Sequence, residues 1–218
     1  MTNNNKPKFR FNPKTKSGLD KLGRISLSEN FHMREFLYSE TAIANGIWNV
    51  PDDVDAAVEA GSQLCKLLLE PLQEKFGRIH VRSGFRSSAV NAAGVGNQCA
   101  ADNDGAHTWD LPSKKNGIGA MACISIPSVS KKILSGDAEY LSIAWWIVDN
   151  LPQWSAIEFF AAPSNISFAN EVCFNLGWHE RPMHSITSRR GGKFKLDDDI
   201  PDAQTRRQLW EKLIDGPK

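Results

Sequence analysis

The sequence predicts an α+β protein with a single domain, in which helices come first and a small, mainly antiparallel sheet follows. Apolar residues recur at three- and four-residue steps in the N-terminal half, and short alternating segments occupy the C-terminal half. A length of 218 residues is enough to bury a sizeable core without disulfides. The hydrophobic fraction of 41% and the charged fraction of 23% are typical of globular chains and exclude a disordered one.

The clearest predicted element is a long amphipathic helix over residues 54–76. Asp52 or Asp53 caps its start and Gly77 ends it. The other predicted elements are a short amphipathic stretch at 28–37, strands at 79–82, 121–126, 155–161 and 164–169, a long loop at 92–119, and helices at 137–150 and 202–214.

The N-terminal segment differs in charge from the rest of the chain. Residues 1–24 carry seven Lys or Arg and one acid, a net charge of +6, whereas the remaining residues sum to −5. Because the segment has no apolar periodicity, residues 1–26 are predicted to form a basic, disordered arm ahead of a domain at 27–218. The charge predicts contact with nucleic acid or an acidic surface, and the alternative is a solvated tail without a target.

Several classes of protein are excluded by simple patterns. No run of eighteen apolar residues exists, which argues against a membrane-spanning helix and a membrane partner. No apolar stretch follows the first basic residues, so a chain made in the cytoplasm without a signal peptide is expected. Four scattered cysteines, without a C-x-x-C pair, indicate reduced thiols.

A series of segments, taken in their order and spacing, resembles the zinc D-alanyl-D-alanine carboxypeptidase and murein endopeptidase family. The resemblance implies that family's fold, which is shared with the hedgehog signalling domain. It covers residues 27–170 and leaves 171–218 as a C-terminal extension with the final helix. The segments are FHMREFLYSETAIANGIWNVP, LLLEPLQEKFGRIHVRSGFRSSAVNAAGVG, GAH, GAMACISIP, AWWIVDNLPQWSAIEFF and SNISF.

The family's chemistry is metal-assisted amide hydrolysis, in which zinc polarises a peptide carbonyl and activates water while a carboxylate moves the proton. Its zinc is held by a His, an Asp and a second His. The resemblance places His107 on the first ligand and Cys123 where the Asp stands in the family. It places Asn165 where the second His belongs.

The same resemblance implies a substrate-binding side. Arg86 matches the arginine that pairs with a substrate carboxylate, a role suited to the two parallel donors of a guanidinium. Ser83 belongs to the same turn. Glu158 is the candidate for the proton-transfer carboxylate, provided that its strand neighbours the cleft.

Alternatives remain open at several positions. A rival alignment sets Asn103 and Asp110 on the His and Asp positions. A third strong ligand would come from Asp110, His179 or His184. The insertion at 99–118 is long for a connection and is a candidate partner-binding loop. Trp109 within it either anchors an interface or packs on its own domain.

Two functions follow from this incomplete match, and the sequence leaves open whether the chain is an enzyme. In the first, the chain is a non-catalytic phage protein, either a structural virion component or a wall-binding module. Its partners are then peptidoglycan peptides or other virion proteins, and it needs no cofactor. In the second, it is an active zinc-dependent peptidoglycan peptidase, a D-Ala-D-Ala carboxypeptidase or an endopeptidase, used in lysis or wall penetration.

Overall fold

Helices make up much of the N-terminal half of the chain. The computed structural model describes residues 8–96, 99–160, 171–189, 193–195 and 200–214. The helices of this half are α1 (Lys16–Gly23), a short 3-10 helix (Met33–Phe36), α2 (Glu40–Asn45), α3 (Val54–Leu64), α4 (Glu70–Phe76) and α5 (Ser88–Gly94).

The long predicted helix is present as α3 and α4, joined by a π-helical turn at Cys65–Leu69. Asp53 caps its start, because its Oδ1 accepts the Ala56 N–H at 3.0 Å. Gly77 ends it with a φ of 84°, a left-handed conformation that suits glycine. The apolar face of the helix is buried in the core, as its periodicity predicts.

Within the described residues, the sheet has six strands and is mixed but mainly antiparallel. These strands run in the order β1-β2-β4-β3-β5-β6, and among their pairs only β3–β5 is parallel. With its helices, this sheet confirms the predicted α+β domain. The strands are β1 (His80–Ser83), β2 (Gly119–Ser125), β3 (Ala156–Phe159), β4 (Cys173–His179), β5 (Ser185–Arg189) and β6 (Lys193–Lys195).

One face of the sheet packs on the helices, and the core lies between these two layers. The side chains of Ala122 and Ile124 on β2, and of Phe174 and Leu176 on β4, are fully buried there. Helix α3 crosses both strands on this face. Because successive side chains of a strand point to opposite faces, the residues between these four lie on the other face of the sheet.

Three helices belong to the C-terminal half: α6 (Pro127–Ser135), α7 (Ser142–Asn150) and α8 (Ala203–Ile214). The helix predicted at 137–150 is shorter, and α6 before it was not predicted. The final helix is confirmed, with Asp202 accepting the Thr205 N–H at 3.0 Å at its start. None of the helices described here is long and apolar enough to cross a membrane.

The predicted arm requires a correction over residues 8–26, where the chain is ordered. Thr15 caps α1 by accepting the Gly18 N–H at 3.0 Å, and Leu22 is fully buried in the core. The Lys8 N–H donates to Asp55 of α3 at 2.7 Å. A few apolar side chains therefore anchor this basic segment, although they are too few to give a helical periodicity.

The insertion at 99–118 folds back onto the domain. Trp109 is fully buried, and its Nε1 donates to the Met121 carbonyl at 3.2 Å. Trp109 therefore packs on its own domain, as the second of the two alternatives predicted, and is not an exposed interface anchor. The strand predicted at 164–169 lies outside the described residues, whereas β4, β5 and β6 were not predicted.

Candidate functional site

Polar side chains form a continuous line across the face of the sheet that is turned away from the helices. Each member is the direct cross-strand partner of the next. We call this line the polar row. Its members, in order from β1 to β5, are Ser83, Cys123, Asn175, Glu158 and Thr187.

His107 is almost completely buried and lies against Gly84, the residue that follows β1 at one end of the polar row. Its Nδ1 lies 2.8 Å from the Gly84 carbonyl, and its own carbonyl accepts the Arg86 N–H at 2.8 Å. Burial, together with the nearby Arg86 guanidinium, lowers the pKa of His107 to about 3. The ring is therefore neutral at pH 7, with Nδ1–H donating to Gly84 and the Nε2 lone pair left over.

Two arginines bring positive charge to the same end of the row. Arg82 is exposed and pairs with Glu171 at 3.3 Å. Arg86 is half-buried, and it takes part in none of the ion pairs found among the described residues. A half-buried guanidinium that lacks a carboxylate partner is suited to bind an anionic group from a ligand.

Cys123 sits next to a second thiol that the sequence did not single out. Cys173 is on β4, where its direct cross-strand partner is Ser125 of β2. It therefore lies diagonally opposite Cys123. The Cys173 sulfur and burial both raise the pKa of Cys123 far above its usual range, so Cys123 keeps its proton. Donation by the Cys123 thiol lowers the pKa of Cys173. Neither cysteine is in a disulfide.

Asn175 holds the centre of the polar row, between Cys123 and Glu158. Its Nδ2 donates to the Glu158 Oε2 at 2.9 Å. Only 5% of Asn175 is exposed, and its Oδ1 is buried without a hydrogen-bond partner. An acceptor left in this way costs free energy until a donor reaches it.

The sequence-predicted residues are thus partly brought together. Ser83, Cys123 and Glu158 lie in the polar row, with Arg86 and His107 at its β1–β2 end. Asn165 lies outside the described residues. The residue that faces Cys123 across the next strand is Asn175, which the sequence analysis missed. The apolar residues on either side of it, Phe174 and Leu176, are a strand signal that Asn175 and Gly177 interrupt, and they do not indicate that β4 pairs with β2.

The three candidates for a third strong metal ligand are engaged in contacts elsewhere in the fold. Asp110 accepts the Asp52 N–H at 2.8 Å ahead of α3, and burial raises the pKa of Asp110. His179 contacts the Ser155 hydroxyl at 2.8 Å, and burial lowers the pKa of His179 to about 4. The His184 ring packs against a tryptophan.

The two residues of the rival alignment, Asn103 and Asp110, do not lie in the polar row either. The Asn103 amide donates to Asn91 of α5 at 2.9 Å, and Asp110 is engaged as above.

Among the described residues, the side chains around His107 do not supply three strong zinc ligands. His107 has the geometry of a ligand, since a carbonyl holds Nδ1–H and orients the ring. Cys123 would act as a ligand only as a thiolate, which a bound metal would have to produce, and a neutral amide such as Asn175 is a weak zinc ligand. Across the described part of the chain, no group of three or more His, Cys, Asp or Glu side chains is placed to hold a metal ion.

Comparison with protein-family models, with curated proteins and with solved structures finds no match to this chain. The resemblance to zinc murein peptidases therefore stays a prediction that rests on the residues themselves.

Proposed function

We propose that this chain is a murein-peptidase-like domain that binds peptidoglycan peptides without cutting them, as a wall-binding or virion protein of a bacteriophage. The observation that carries the proposal is the Arg86 guanidinium, half-buried beside His107 and Cys123 and outside the ion pairs of the described residues. It would hold the terminal carboxylate of the peptide through two parallel hydrogen bonds.

The chemistry of the row favours binding over hydrolysis. Activating water on zinc takes several strong ligands and a carboxylate free to move a proton. Here the residue that faces Cys123 across the sheet is Asn175, which presents only an amide. The Glu158 carboxylate already accepts a hydrogen bond from Asn175. These groups are suited to hydrogen-bonding an extended peptide laid across the strands.

The basic segment at 1–24 supplies a second contact in this proposal. Its net charge of +6 stands against −5 for the rest of the chain. It would attach the domain to an acidic surface of a partner virion protein or to nucleic acid, and such an attachment weakens as salt is added.

Binding of a synthetic peptide that ends in D-Ala-D-Ala tests the proposal by calorimetry. Replacing Arg86 by Ala should weaken binding by about 10-fold or more, as expected for a lost charge-assisted pair. Arg86→Lys should restore only part of the affinity, because an ammonium cannot donate two parallel bonds. Arg78→Ala is the matched control, since Arg78 is exposed and is likewise outside the ion pairs described. Equal affinity in all four proteins would refute the proposal.

The alternative, an active zinc peptidase, is favoured by the orientation of the His107 ring. Elemental analysis of the purified protein and digestion of purified peptidoglycan separate the two functions. Stoichiometric zinc that is lost in His107→Ala, together with release of peptide fragments, would establish the enzyme. Intact peptidoglycan after incubation with zinc-supplemented protein would leave the binding function.

A further inference from the structure

A cleft of about 600 Å³ lies beside helix α1, and no residue of the polar row lines it. We call it the α1 cleft. Its lining comes from α1 and from residues 34–50, which include α2. Much of this lining is apolar, with Leu19 of α1, Ala42 of α2 and Val50 among its residues. The volume is in the range of sites that hold organic ligands.

Two aromatic side chains of the α1 cleft are accessible to solvent. Trp48 is 48% exposed, whereas the other six tryptophans of the chain are buried or half-buried. Tyr38 is 54% exposed, whereas the other tyrosine, Tyr140, is half-buried. Because apolar ring surface in water costs free energy, these two rings are suited to stack on a planar group of a ligand.

Hydrogen bonds of the buried Asn49 hold the two aromatic residues near each other. Its Nδ2 donates to the Leu37 carbonyl at 2.9 Å, and its Oδ1 accepts the Ser87 N–H at 2.8 Å. Tyr38 follows Leu37 in the chain and Trp48 precedes Asn49, so the backbones of the two aromatic residues lie side by side. The aromatic surface is therefore formed before a ligand binds.

One carboxylate of α1 holds two guanidinium groups at the α1 cleft. Asp20 accepts from the Arg24 Nε at 2.9 Å and from a terminal nitrogen of Arg34 at 3.1 Å. The two arginine side chains are still 73% and 64% exposed. Since two positive charges meet one negative charge, the group keeps a positive charge and has N–H donors left for a further anion.

Lys16 adds another positive charge to the lining of the α1 cleft. It is exposed and takes part in none of the ion pairs that the described residues form. The acidic residues of the neighbouring segments, Glu35 and Glu40, do not line the cleft. An apolar, aromatic surface is thus combined with three cations against a single carboxylate.

We infer that the α1 cleft binds a single strand of nucleic acid, with bases on the exposed rings and phosphates at the cationic groups. Proteins that bind single strands without sequence preference use this combination, because every base has a ring face and every nucleotide a negative charge. A duplex fits less well, since its bases are already stacked on one another. A second copy of this chain also fits less well, because a two-fold contact would bring like charges together.

Nucleic acid is one of the two partners that the proposed function allows for the basic segment, and the assignment of the α1 cleft rests on that part of the proposal. Lys16, Asp20 and Arg24 belong to this segment. An acidic protein surface offers carboxylates to the cations but no planar group to the rings of Tyr38 and Trp48. The exposed rings therefore favour nucleic acid.

Two oligonucleotides that differ only in their bases test the inference. The first is an oligothymidylate of about twelve nucleotides, and the second is an abasic strand with the same number of phosphates. Both carry a fluorescent label and are titrated with the full-length protein. The wild type should bind the thymidylate strand about 10-fold more tightly than the abasic strand, as expected for one stacked base.

Variants of the α1 cleft separate stacking from charge. Trp48→Ala should reduce the preference to within about 2-fold and leave the affinity for the abasic strand unchanged. Trp48→Phe keeps a ring and should retain most of the preference, which guards against a folding defect. Lys16→Gln should weaken the binding of both strands alike. It should also reduce the slope of log affinity against log salt by about 0.7, the value for one phosphate contact on a single strand.

Two matched controls lie outside the α1 cleft. Phe160 is an aromatic residue with 41% exposure, and Lys75 of α4 is exposed and outside the ion pairs of the described residues. Phe160→Ala and Lys75→Gln should bind both strands as the wild type does.

The possible failures are distinguishable. Equal affinity of the wild type for the two strands, binding of neither strand, or a preference that survives in Trp48→Ala would overturn the site. Poly-L-glutamate that binds more tightly than the thymidylate strand would identify an acidic protein partner and overturn it as well. Binding of the D-Ala-D-Ala peptide depends on Arg86 and is measured separately, so its failure would overturn the peptide-binding function alone.

Discussion

Single residues that fill tight spaces determine how the insertion is held against the helices. The Trp109 ring packs against Phe36 and Phe85, with centroids 5.2 and 6.1 Å away. On its third side lies Gly61 of α3, where an added Cβ would come within 2.6 Å of the Trp109 ring. The close approach of helix and ring thus depends on the missing side chain.

We expect Gly61→Ala to destabilise the protein by about 1–3 kcal/mol, the usual cost of overpacking a core. In an exposed helix the same substitution would raise the free energy of unfolding by about 1 kcal/mol. At Gly61 the contact with Trp109 is expected to make the substitution destabilising instead. Urea unfolding measures the difference. Ser62→Ala, at the next position of α3, is the control and should change stability little. An unchanged or higher stability of Gly61→Ala would contradict the packing described.

Buried histidine gives the stability a defined pH dependence. Burial holds the pKa of His179 at about 4 in the folded state, below its ordinary value of 6.5. Between these values the unfolded chain binds more protons than the folded one. Stability should therefore fall as the pH drops from about 6.5 to about 4, by up to about 1.4 kcal/mol per pH unit for this group.

Unfolding free energies of the wild type and of His179→Gln, measured from pH 7 to pH 4, test this dependence. The variant should show a slope smaller by about one proton, because glutamine does not titrate. His32→Gln, at an exposed position, should retain the wild-type slope. Parallel curves for His179→Gln and the wild type would rule out the effect.

At the scale of elements, the amphipathic helix at 54–76 and the strands around 80, 122 and 157 could be predicted because their periodicity is regular. Strand β4 could not, although it is central. Its residues on the polar face include Asn175 and Gly177, which are typical of loops. At Gly177 an added Cβ would lie 3.0 Å from the end of the Met121 side chain, which would have to shift slightly.

The candidate site was predictable to a similar extent. His107, Cys123 and Arg86 were found from local motifs. Asn175 and Cys173 join the site through the pairing of β2 with β4, a long-range contact that local patterns do not encode.

One carboxylate of α7, that of Asp149, accepts hydrogen bonds from two side chains of helix α8. Asp149 Oδ1 accepts from Arg206 at 2.6 Å, and its Oδ2 accepts the Trp210 Nε1–H at 2.9 Å. Since both ionic side chains are only 18% exposed, Asp149→Asn should lower stability by about 1–3 kcal/mol. Thermal unfolding with limited proteolysis of the C-terminal helix measures the effect. The control Glu211→Gln breaks an exposed pair with Arg207, which should matter little.

At the scale of the whole molecule, charge is divided between surfaces. The basic N-terminal segment folds onto the acidic remainder at some points, as in the contact of Lys14 with Asp52 at 3.6 Å. Part of its charge is therefore neutralised within the chain. Because helix α1 packs on the domain through Leu22, the basic side chains of residues 8–24 have a defined place on its surface.

The polar row takes one residue from each of five strands, which span residues 80–189 of the chain. A ligand that spans the row would therefore contact residues from all five strands. Binding of such a ligand raises the free energy of unfolding by about 2.7 kcal/mol when the ligand is present at 100 times its dissociation constant. A thermal-shift screen of compounds would accordingly detect ligands of the folded protein without any enzymatic assay.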